Sequence, residues 1–106
     1  MPMVPGGNIH QGDLESVVKE AGALLGPNVV HLAYRIGPDS TDAPSIFFRI
    51  LLADAAVHED TITAVTRQIS DTLMDTIRPL DNWRLRPYFN FRSKSEQDQR
   101  RDPDWE

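Results

Sequence analysis

The run Ser45-Ile46-Phe47-Phe48-Arg49-Ile50-Leu51-Leu52-Ala53-Asp54 constrains the fold more than any other stretch, because it is apolar on both of its alternating faces. Successive side chains of a strand point to opposite sides, so Ile46, Phe48, Ile50 and Leu52 share one face while Phe47, Arg49 and Leu51 share the other. A segment of this kind needs a neighbour along each edge and cover on its faces. It is predicted to be the central strand of a sheet.

The flanking sequence supplies the neighbours. Residues 1–12, with two prolines and three glycines and no periodicity, read as a flexible leader. From Asp13, which suits a helix N-cap, Leu14, Val17, Val18, Ala21, Leu24 and Leu25 recur at helical spacing until Gly26-Pro27 stops them. Val29 to Ile36 alternates as a strand, and the polar stretch Gly37 to Pro44 connects it to the central one. Ile62, Val65, Ile69, Leu73 and Ile77 then mark an amphipathic helix that Pro79 helps to end. Trp83 to Arg92 alternates as a third strand, which Pro87 confines to a sheet edge because proline lacks the N–H a central strand needs. Ser93 to Glu106 is almost wholly polar apart from Trp105 and is expected to be mobile unless a partner holds it.

The expected fold class is therefore α+β: a three-stranded mixed sheet in the order helix, strand, strand, helix, strand, with both helices on one face. The domain covers residues 13–92, between the leader 1–12 and the acidic tail 93–106. The first two strands pair antiparallel, and the helix returns the third parallel to the second. The far face of the sheet is left open or is covered from outside this chain.

Composition excludes several function classes. With 106 residues there is room for one core, and without cysteine there is no disulfide, thiolate metal site or cysteine nucleophile. No apolar run approaches the roughly 18–20 residues of a membrane span, and the N-terminus has no signal-peptide pattern, so a cytoplasmic protein without membrane contact is expected. A formal charge of −5 argues against broad capture of nucleic acid. His10, His31 and His58 are not spaced as metal ligands, and His58-Glu59-Asp60 suits the start of a helix. There is no His-Glu-x-x-His, Gly-x-Ser-x-Gly, Gly-x-Gly-x-x-Gly or Walker loop. No catalytic residue, metal ligand or cofactor site is assigned.

The informative pattern is one of charge. The three expected strands hold Arg35, Arg49, Arg84, Arg86 and Arg92 and not one Asp or Glu. Arg84, Arg86 and Arg92 alternate with Tyr88 and Asn90 among them on one face, and His31 and Arg35 extend it. Three uses stay open. The face can keep a sheet soluble or pair with Glu96, Asp98, Asp102 and Asp104 of the tail; it can dock an acidic protein surface; or it can stack on and contact RNA. Trp105 in that tail is either incidental or a short anchor.

A resemblance joins these readings. Leu24 to Gly37, the polar loop, and Ser45 to Leu52 resemble the minimal nucleotidyltransferase pattern, in which a strand ending in Gly-Ser and a loop precede a strand opening with Ser-Asp-x-Asp. The helix Asp60–Arg78 and the strand through Leu85 to Phe91 fall where that family has its next helix and third strand. The metal-binding residues depart from the pattern. Pro38 replaces the serine, Ile46 and Phe48 stand where two aspartates belong, and Arg84 and Arg86 lie where a further acid is common. Two-metal phosphoryl transfer needs those carboxylates. Asp39, Asp42 and Asp54 are left as a relocated metal set or, more simply, as turn and cap residues.

That family is often encoded in bacterial two-gene toxin-antitoxin cassettes beside a helical HEPN protein. The resemblance therefore implies a non-catalytic, antitoxin-like or regulatory subunit that binds a protein partner. Arg84, Arg86, Tyr88, Asn90, Arg92, Arg35 and Trp105 are the expected binding residues, with RNA recognition by the same face as the alternative.

Overall fold

The computed structural model describes the backbone of residues 11–105 and the side chains of 13–103 and 105. The leader reading of residues 1–10, His10 included, lies outside the described residues. Three strands, β1 (Val29–Pro38), β2 (Pro44–Leu52) and β3 (Arg86–Ser93), form one mixed sheet in the order β1-β2-β3. The expected central strand is central. It pairs antiparallel with β1 and parallel with β3, and β3, which carries Pro87, is an edge.

One face of β2 makes the core. Ile46, Phe48, Ile50 and Leu52 are 0–1% exposed and meet Leu14, Val18 and Ala21 of α1 (Gln11–Ala23) and Ile69, Leu73 and Ile77 of α2 (Ile62–Ile77). Both helices thus lie on one side of the sheet. Each buried aliphatic side chain contributes roughly 1.5–3 kcal/mol, which is why the periodic positions fix the layer.

The chain departs from expectation at four places. Helix α1 begins at Gln11, so Asp13 stands in its first turn and is not the residue before it. The connector between β1 and β2 is short: pairing continues to Pro38 and Pro44, leaving five residues bridged by Asp39 N–H to the Ala43 carbonyl at 3.0 Å.

The third strand starts at Arg86, because Pro79–Trp83 winds a short helix, α3, instead. Proline fits the first turn of a helix, and Asn82 N–H closes that turn on the Arg78 carbonyl at 2.9 Å. Arg84 then takes a left-handed φ of 55°, which an extended strand does not permit.

The tail is folded. Lys94–Arg100 forms α4, a 3-10 turn follows at Pro103–Trp105, and both pack on the sheet face opposite α1 and α2. Ser93 caps α4, its hydroxyl accepting from Glu96 N–H at 3.1 Å. No helix among the described residues is long and apolar enough to cross a membrane.

Candidate functional site

The sheet face turned away from α1 and α2 is laid out in rows by strand register. Gly37, Ser45 and Arg86 form the first row; Arg35, Phe47 and Tyr88 the second; Ala33, Arg49 and Asn90 the third; His31, Leu51 and Arg92 the fourth. Arginine therefore comes from all three strands onto one surface, while the long aliphatic side chains other than Leu51 go to the other. Strict two-residue alternation imposes this division.

The second row is built by stacking. The Phe47 and Tyr88 rings lie 5.2 Å apart at 14°, an offset parallel pair worth about 0.5–1.5 kcal/mol beyond its area. The Arg35 guanidinium lies over the Phe47 ring, 4.7 Å from its centroid. Gly37 makes room for it, since a methyl group at that position would come within 2.9 Å of Arg35 Nη1. Among the described residues Arg35 has no carboxylate within 4 Å.

At the rim, the β1–β2 loop adds one acid. Asp39 Oδ1 accepts from Thr41 N–H, the Thr41 hydroxyl and Ala43 N–H, holding a loop in which Asp42 has a φ of 65°. Its other oxygen accepts from the Tyr88 hydroxyl at 2.7 Å and lies 3.8 Å from Arg86 Nη1. The Tyr88 bond, followed by that of Thr41, holds the Asp39 carboxyl well below the usual carboxylate range. The same bond pushes the Tyr88 phenol up. The hydroxyl of Tyr88 is thus committed to the loop, and its ring remains for contact.

The fourth row is occupied by the tail. Trp105 is 8% exposed, and the Arg92 guanidinium stacks on its ring 4.3 Å from the centroid. Arg92 Nη1 also donates to Gln97 Oε1 at 2.8 Å and lies 3.6 Å from Asp102, while Gln97 Nε2 donates to the Asp102 carbonyl. At the far end of β2, Asp54 accepts from Ser95 N–H and from the Ser95 hydroxyl, bonds that lower its carboxyl. A cleft of about 680 Å³ runs between the tail and the end of the sheet, lined by His31, Leu51, Lys94 and Trp105 among others.

Of the residues expected on this face, Arg35, Arg86, Tyr88, Asn90 and Arg92 share it. Arg84 does not belong to the row, because its left-handed backbone ends α3 outside the strand. Arg92 and Trp105, expected to bind a partner, are on the face but engage each other, so at Arg92 the use that the structure shows is pairing with the acidic tail, one of the three left open. Phe47 and Asp39 were not among the expected residues. Alternation places Phe47 on this side, but its partner Tyr88 is fixed only by the parallel register of β2 and β3, which no local motif encodes.

Asp39 precedes β2 and Asp54 follows it, at opposite ends of a nine-residue strand that spans roughly 30 Å, too far to share one ion. No three His, Asp or Glu residues group to hold a metal among those described. Ile46 and Phe48 point into the core. No family model, curated protein or solved structure matches the chain.

Proposed function

We propose that the chain is a cytoplasmic, non-catalytic protein-binding module with a nucleotidyltransferase-like arrangement. In this reading it serves as the antitoxin-like or regulatory member of a bacterial two-gene toxin-antitoxin or defence pair and binds a HEPN-like helical protein. The observation that carries the reading is the Arg35–Phe47–Tyr88 row, a stacked aromatic pair with an arginine over Phe47 and no acid within 4 Å of that arginine among the described residues. Arginine and large aromatics on a rigid sheet give the contact type that dominates protein interfaces.

Support for a non-catalytic role comes from Ile46 and Phe48. They are 0% exposed on the core face, where a metal-holding pair has no access to substrate. The same row favours a second reading, a small RNA-binding platform on which bases stack against Tyr88 and contact the arginines. It requires affinity that falls steeply with salt.

The test is purification of the tagged chain from its native host with mass identification of what accompanies it. The expected result is one stoichiometric protein that Arg35→Glu with Arg86→Glu fails to retain. A chain found only as a monomer, without partner under any condition, counts against the reading.

A further inference from the structure

The tail's docking on the fourth row shows one contact that an arginine of this face makes. There the chain binds a piece of itself: an acid, Asp102, and an aromatic ring three positions on, Trp105, close on a single arginine. The Asp102 carboxylate lies 3.6 Å from Arg92 Nη1 while the guanidinium lies over the Trp105 ring, so both residue types of the segment meet one planar cation. Leu51, the apolar residue of that row, becomes 4% exposed.

The second row holds an arginine-on-ring contact of the same kind, supplied within the sheet, where Arg35 lies over Phe47. Arg35 presents a guanidinium backed by Phe47, and the Tyr88 ring, 38% exposed for the residue as a whole, stacks with Phe47. Arg86 adds a second cation, its side chain 58% exposed and 3.8 Å from its nearest acid. Asp39, that acid, sits at the rim with its oxygens already taken by Tyr88 and the loop. The surface is continuous with the occupied row, two rows away on the same strands, and is complementary in charge to an acidic segment.

We infer that rows one to three receive a segment of a partner protein that carries a carboxylate and an aromatic ring within one turn of each other, the residue types that Asp102 and Trp105 bring to Arg92. This rests on the protein-binding reading and specifies the chemistry of the partner. The carboxylate goes to Arg35 and Arg86, and the ring lies on the Phe47–Tyr88 side.

A fluorescein-labelled peptide carrying Asp-Pro-Asp-Trp-Glu, the sequence of residues 102–106, serves as the probe against the intact chain. The expected result is saturable binding with amide shifts at Arg35, Phe47, Tyr88 and Arg86. Binding weakens about tenfold or more for Arg35→Glu and for a peptide with lysine in place of both aspartates, a control that leaves the protein unaltered. Shifts confined to Leu51, Arg92 and α4, meaning exchange with the chain's own tail, overturn the inference. So does a single-stranded RNA that displaces the peptide, or a lysine-substituted peptide that binds equally well. If a native partner is lost on Arg35→Glu while the acidic peptide never binds, this inference fails and the broader reading survives. If no native partner is retained by the face at all, the broader reading fails first.

Discussion

Asp39 and Tyr88 share one hydrogen bond with opposite pH limits. The folded carboxyl titrates below its unfolded value near 3.9, so its contribution is fully present above that pH and is lost as pH falls through the folded value. The folded phenol titrates above its unfolded value near 10, so its contribution is present below that pH and is lost as pH rises through the folded one. Urea midpoints should therefore show the gap between wild type and Asp39→Asn closing toward acid, and Tyr88→Phe should move the acid transition to higher pH. A gap independent of pH contradicts the assignment. Trp83 offers a separate check, because its indole N–H is buried without a partner among the described residues. Trp83→Phe removes that unsatisfied donor while leaving a small void, so the two effects offset to within about 1 kcal/mol, whereas Trp83→Ala costs about 3–5 kcal/mol in urea unfolding. Arg78, Arg84 and Arg101 all end helices at φ of 50–55°, where glycine is unstrained. The sequence reading placed Arg84 in a strand because alternation was counted through a residue whose backbone conformation has no side-chain signature.

Helix α4 and the turn after it are the element on which sequence and structure diverge most. Polar composition made residues 93–106 look mobile, yet Ser93-Lys94-Ser95-Glu96 has the spacing of a capping box, a helix-start signal that the tail's polarity obscured. The docking depends on Arg92, Gln97, Asp102 and Trp105 converging, a long-range event with no local pattern. Ser93→Ala should lower stability by about 1 kcal/mol through loss of the cap. Trp105→Ala should cost about 1.5–3 kcal/mol and expose Leu51, read as a lower melting midpoint with faster amide exchange in α4. An unchanged midpoint with unchanged exchange contradicts the docking. By contrast, α1, α2 and the three strands were legible because each buries a periodic apolar stripe: Leu14-Val18-Ala21, Ile69-Leu73-Ile77 and the alternating positions of β2 specify one layer against another.

At the scale of the whole molecule, the chain resolves the problem of a central strand that is apolar on both faces in two ways. Two helices bury Ile46, Phe48, Ile50 and Leu52, and its own tail buries Leu51. What the described residues leave uncovered is the face of Arg86, Tyr88 and Asn90 with Arg35 and Phe47 beside it. The arginines of this face were readable from the absence of strand acids, whereas its aromatic centre depended on pairing between strands about forty residues apart. The account stands or falls on whether that stretch binds another protein, and the most direct measurement is calorimetric affinity for the co-purified partner. Tyr88→Ala and Arg35→Glu should each weaken it by about 2 kcal/mol or more, while Arg67→Glu on the exposed side of α2 should leave it nearly unchanged. Equal affinity for all three variants, or loss only with the α2 variant, contradicts the account.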